Sequence, residues 1–197
     1  MKKHIITPFS RPHLLSQLVS MLDPLDVQWH LVAHDCAFKV ENNWIHVLPT
    51  DVPPDVFDVC YYKMNEGLQR ADIAYDDWFS FMCDDDALPL DFYDKLDLEH
   101  VPDAIDVVVS SSHYYFHGKH IALIAKPYNC VTGKISIPQL FFRGRLKPFI
   151  YYREDHHFAD GLMAESVVKR FNLEYRPEAY VEWNKLNPNF WKPGEVK

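Results

Sequence analysis

The first hundred residues alternate short apolar runs with segments of helical period, and that alternation leaves few folds open. His4-Ile5-Ile6-Thr7 reads as a short strand ended by Pro8. Ser10-Arg11-Pro12 reads as a helix start, with a capping serine and an early proline. Leu15, Leu18, Val19 and Leu22 then share one apolar face, and Asp23-Pro24 stops the helix. Residues 27–33 form a second strand, with His34-Asp35 at its carboxyl end. Residues 44–48 give another strand, and the Pro53-Pro54 stretch opens a helix with Phe57, Tyr61, Met64 and Leu68 on one face. Residues 78–83 are apolar and aromatic, as in a strand covered on both faces. Such alternation predicts an α/β fold around a mostly parallel sheet, with ligands at the carboxyl ends of the strands.

The second half changes character. Val107-Val108-Val109 lies in a strand, His117-Gly118-Lys119 is a turn, and residues 121–124 return as a further strand. Residues 135–142 are extended but interrupted by Pro138, and Glu154-Asp155 opens a helix with Ala164, Val167, Val168 and Phe171 on one face. At 197 residues, without repeats or a long linker, the chain is expected to be one domain over 1–197. Hydrophobic residues make up 48% and aromatic residues 15%, enough for a packed core. The net charge of −8 and the lack of a Lys/Arg run argue against nucleic acid as a partner. Four scattered cysteines form no CxxC pair, and no apolar run is long enough for a signal peptide or a bilayer span. A soluble, cytoplasmic protein is the expectation.

Apolar residues run directly into Asp84-Asp85-Asp86 and then resume at Ala87-Leu88-Pro89. Three adjacent carboxylates repel one another more strongly as water is removed. Either the triplet is a solvated turn capping the next helix, or a cation belongs there. Carboxylates at a strand end suit Mg²⁺ or Mn²⁺, which bind through one or two of them plus a substrate diphosphate. Glu154-Asp155 reads either as a helix cap or as the source of a general base. His113, His117, His120, His156 and His157 match no metal-site spacing, although His156 or His157 could join a carboxylate-bound cation. Paired aromatics such as Tyr114-Tyr115 and Tyr151-Tyr152 suit a core or the rim of a cleft.

The order of these signals resembles the family 2 glycosyltransferases of the GT-A fold, over most of the chain. Residues 5–15, with Thr7-Pro8-Phe9-Ser10-Arg11, are similar to the family's opening strand and helix. Asn65-Glu66-Gly67 is similar to its "NxG" helix, Asp84-Asp85-Asp86 to its DxD segment, and Glu154-Asp155 to its "ED" motif. The resemblance implies a GT-A-like three-layer domain, with a nucleotide-sugar half over about 1–100 and a mixed acceptor half over about 101–197. It implies an inverting, metal-dependent transferase moving a sugar from a nucleotide-diphosphate donor to an acceptor hydroxyl.

By position, Asp84 and Asp86 become metal ligands for Mn²⁺ or Mg²⁺, with Asp86 the more direct. Asp155 becomes the general base, supported by Glu154. Thr7, Pro8, Arg11, Asp35, Asn65, Asp84 and Asp85 contact the donor, a UDP-sugar ahead of a GDP-sugar. The acceptor class stays open among carbohydrate, lipid-linked and protein hydroxyls. Two departures stand out: His34 replaces the first acidic residue at the end of strand two, and residues 183–188 carry no histidine. They leave room for a catalytically silent binding or assembly module. A nucleotidyltransferase is a lesser alternative, disfavoured by the lack of a glycine-rich loop after the first strand.

Overall fold

In the computed structural model the described residues are 1–34, 40, 42–116, 119–156 and 158–187. Strand β1 (Lys3–Phe9) is flanked by β2 (Gln28–Ala33) and β4 (Trp78–Phe81), both parallel to it, and β3 (Ile45–Pro49) adds to β2, again in parallel. Antiparallel β7 (Leu140–Arg143) joins β4 to β5 (Val107–Phe116). One edge of β5 pairs with β7 and then with β6 (Lys119–Leu123), and the other pairs in parallel with β8 (Leu173–Glu182). The architecture is therefore a single α/β domain on a mostly parallel sheet, with antiparallel pairs in its second half.

Helices cover both faces. On one, Leu18 and Leu22 of α1 (Leu15–Leu22) and Phe92 and Leu96 of α3 (Phe92–Leu96) pack with Ile5, Trp29, Leu31 and Trp78. On the other, Met64 and Leu68 of α2 (Val59–Arg70) and Ala164 and Val167 of α4 (Ala159–Arg170) pack with Ile6, Val32, Phe79 and Phe81. Both cores are built from buried apolar side chains, and every residue of β4 is buried, as its apolar run requires.

Four local expectations are corrected. Strand β1 runs through Pro8 to Phe9 instead of stopping. Ile6 turns its carbonyl toward Met82 on the β4 side, so Pro8, two residues on, would direct its missing N–H the same way. The β1–β4 ladder has already ended at Ile6, and no bond is lost there. Ser10 does not cap a helix; a short 3₁₀ turn, Pro12–Leu14, precedes α1 without any side-chain cap. Phe57 lies outside α2 and is exposed, because Asp58 caps that helix by accepting from the backbone N–H groups of Cys60 and Tyr61. Helix α4 opens at Ala159, not Glu154, and its turn leaves Val168 exposed. Residues 117–118 of the expected turn lie outside the described residues.

Candidate functional site

Parallel neighbours end side by side, so the residues just after β1 and β4 are brought together. Asp84 accepts from the backbone N–H of Ser10 at 2.6 Å, the Ser10 hydroxyl at 3.1 Å and the backbone N–H of Arg11 at 2.9 Å. The Arg11 guanidinium also donates to Asp84, and its second arm reaches Asp85 Oδ2 at 3.3 Å. Burial works against the charge on Arg11, but Asp84 and Asp85 prevail and raise its pKa. Asp85 is further held by Asn187 Nδ2 at 3.2 Å.

Asp86 turns elsewhere. It is fully buried, and its two oxygens accept from the backbone N–H groups of Asn184 and Cys83, each at 2.9 Å. Burial pushes its pKa up to about 8. It ties the turn after β4 to the segment after β8, and of the triplet only Asp84 and Asp85 line the cleft.

That cleft has a volume of about 710 Å³. Pro8, Ser10, Arg11, Asp84 and Asp85 line it from the strand ends, and Tyr61 and Lys63 line it from α2. Lys63 is buried and donates to the Phe9 carbonyl at 2.8 Å. Tyr114 and Trp183, in edge-to-face contact at 4.7 Å, line it as well. Asp160, in the first turn of α4, completes the set of carboxylates on its wall.

Several residues expected in the site lie behind it. Thr7 is fully buried and accepts from the indole N–H of Trp29 at 2.9 Å. Asn65 is buried as a bridge: its Nδ2 donates to the Tyr152 carbonyl and to Glu154 Oε1, each at 2.8 Å, and its Oδ1 accepts from Tyr152 N–H at 2.9 Å. Glu154 also accepts from the Tyr151 hydroxyl. Asp155 is exposed and gripped by both arms of Arg153, at 3.1 and 2.9 Å, which lowers its pKa; it does not line the cleft. His156 accepts from Phe158 N–H. Asp35 and His157 lie outside the described residues.

Asn65→Ala would leave the N–H and carbonyl of Tyr152 unpaired in the buried interior. A loss of about 2–4 kcal/mol is expected, read as a lower midpoint in urea at unchanged slope. A midpoint equal to wild type would show that the bridge is not needed.

Among the described residues, no group of three or more His, Cys, Asp or Glu side chains could hold a metal ion. The available set is Asp84 and Asp85, with Arg11 between them. It suits a hard cation only if Arg11 moves and a ligand such as a diphosphate supplies further oxygens. Lys63 and Asp160 are the charged cleft residues that sequence motifs missed. Neither carries a local sequence mark, since each matters only through the cleft it lines.

No family model matches this chain, and no curated protein matches it in sequence. Its fold is shared with solved structures of TarS from S. aureus. The fragment 1–349 in complex with UDP-GlcNAc has a TM-score of 0.59 at 15% identity, covering 92% of this chain and 58% of that one. The same fragment with UDP gives 0.60 at 16%, covering 92% and 60%. TarS itself gives 0.65 at 16%, covering 93% and 36%. The chain has a GT-A-like fold. It spans about three fifths of the TarS fragment, and at these identities the likeness concerns the fold alone. No helix among the described residues is long and apolar enough to cross a membrane.

Proposed function

We propose that this chain binds a nucleoside diphosphate-sugar in the cleft at the ends of β1 and β4 and transfers the sugar to an acceptor hydroxyl, with inversion. The observation that carries this reading is the pair of buried carboxylates, Asp84 and Asp85, held by Arg11 at the mouth of a cleft where a GT-A-like sheet ends. The binding of UDP-GlcNAc by the TarS fragment supports a UDP-sugar as donor. When bound, Mn²⁺ or Mg²⁺ would offset the charge of the leaving diphosphate. Asp84 and Asp85 would hold it, whereas Asp86 keeps the turn in place through its two backbone bonds. Arg11 and Lys63 bring the protein's own positive charge to the cleft. The acceptor proton would pass to a carboxylate at or just before the start of α4, and Asp155 could serve only by leaving Arg153.

The test is thermal stability against UDP, GDP, CDP and TDP, each with and without Mn²⁺. At a hundred times its dissociation constant, a ligand of the folded state adds about 2.7 kcal/mol. For a chain of this length that is a rise of roughly 5–10 °C. The rise is expected with one nucleotide, only with metal, and is expected to vanish in Asp84→Asn. No shift with any nucleotide would reduce the triplet to an acidic turn. The exposed, Arg153-bound state of Asp155 favours one second reading, a module that binds the nucleotide without turnover. Metal-dependent binding without release of nucleotide from any sugar donor would decide for it.

A further inference from the structure

We infer that Asp160, rather than Asp155, is the carboxylate that takes the proton from the acceptor hydroxyl. This assignment rests on the transferase reading above. Removal of that proton needs a carboxylate inside the cleft, within reach of the acceptor oxygen and away from bulk water. Of the two carboxylates in the segment before α4, Asp155 is exposed and held by Arg153, and Glu154 is spent on Asn65 and Tyr151. Asp160 lines the same cleft as Asp84 and Asp85 but comes from α4, whereas they come from the end of β4. Donor and acceptor ends of a displacement thus have carboxylates from separate elements.

The surroundings of Asp160 suit a base. Tyr61 faces it from α2, Asp58 from the cap of that helix, and Tyr152 from the segment before α4. Burial raises its pKa, with a smaller push from Asp58 and opposing hydrogen bonds from Gly161 N–H and Tyr61. Asp155 moves the other way under the grip of Arg153. The raised carboxylate is the stronger base.

In the step itself, the acceptor O–H gives its proton to a carboxylate oxygen of Asp160 as the acceptor oxygen bonds to the anomeric carbon. The bond from that carbon to the diphosphate breaks, and its electron pair leaves with the nucleoside diphosphate. The products are a glycoside and a nucleoside diphosphate, and Asp160 later returns the proton to water. A water molecule can stand in for the acceptor, giving the free sugar.

The experiment measures nucleoside diphosphate release from UDP-GlcNAc, UDP-glucose and GDP-mannose with Mn²⁺, water serving as acceptor. Wild type, Asp160→Asn, Asp160→Glu and Asp155→Asn are compared. Asp160→Asn is expected to lower kcat about 100-fold or more, with the donor KM and the melting temperature kept. Asp160→Glu should recover part of the rate, and the acidic limb of the pH profile should disappear in Asp160→Asn. Asp155→Asn should lose less than Asp160→Asn. A wild-type kcat in Asp160→Asn, or the reverse ranking of the two variants, overturns the assignment while sparing the transferase reading. A lower melting temperature in Asp160→Asn without loss of kcat also overturns it. No release by wild type from any donor removes the transferase reading, and this assignment with it.

Discussion

Gly67→Val is expected to lower the melting temperature by about 10 °C, the effect of roughly 3 kcal/mol in a chain of this length. Helix α2 crosses the sheet with no room for a side chain at this point. A Cβ on Gly67 would stand 2.5 Å from Val32 Cγ2 and 2.6 Å from Ile6 Cγ2. Both neighbours are β-branched and fully buried, so neither methyl has another rotamer to move into without a new clash. Alanine would meet the same two methyls but gains about 1 kcal/mol of helix propensity over glycine, so Gly67→Ala should fall between the two. The consequence reaches the site, because α2 also carries Tyr61 and Lys63 into the cleft. A helix pushed off β1 and β2 takes them with it, and nucleotide binding should weaken alongside stability. Calorimetry of the variant is the check; a melting temperature within 2 °C of wild type would mean that α2 can shift at little cost.

The same glycine shows what the sequence could and could not disclose. Asn65-Glu66-Gly67 is recognisable as a pattern, but its reasons are tertiary. Gly67 answers to a close approach to two strands, and Asn65 to the backbone of Tyr152 far along the chain. The strands β1, β2 and β4 are legible because each is an apolar run buried on both faces, which needs no knowledge of its neighbours. The acidic triplet is legible as a site and not as individual roles. Once β4 ends at Phe81, alternation no longer says which carboxylate faces the cleft, and the backbone N–H of Asn184 decides the fate of Asp86. Glu154-Asp155 looks like a helix cap because carboxylates suit helix starts, yet here Asn65, Tyr151 and Arg153 claim both of them, and α4 begins five residues later. Asp160 carries no local mark at all, since its significance comes from the cleft it faces.

Register alone assembles the second large expected effect, a fall in stability on acidification centred on His30. Residues 4, 30 and 46 sit on adjacent strands β1, β2 and β3, where the rings stack at 5.2 and 5.0 Å. His4 Nε2 lies 3.1 Å from Asp77 Oδ2, and His4 Nδ1 lies 2.9 Å from His30 Nε2. A carboxylate only accepts, so His4 carries its proton on Nε2, and a neutral His4 must accept from His30 Nε2–H. That leaves His30 Nδ1 as a buried lone pair without a hydrogen-bond partner. Protonation there would create a buried imidazolium, and burial accordingly lowers the pKa of His30 to about 3, with a smaller contribution from the neighbouring His4 and His46, which would repel a second proton in the stack.

Unfolded histidine titrates near pH 6.5. Below that value the unfolded chain binds a proton that the folded chain refuses, so stability is lost as pH falls from about 6.5 toward about 3. The slope for one such group is roughly 1.4 kcal/mol per pH unit. Asp86 acts with the opposite sign. Its folded pKa of about 8 exceeds the unfolded value of roughly 3.9, so it adds stability as pH falls through that interval. The wild-type curve sums both, and His30→Gln separates them because Asp86 is common to the two proteins. Urea unfolding at pH 7.5, 6.5, 5.5 and 4.5 should show wild type losing ground to His30→Gln by about 1.4 kcal/mol per unit below pH 6. Parallel curves would mean that His30 takes up its proton in the folded state, which requires the stack to open and admit water.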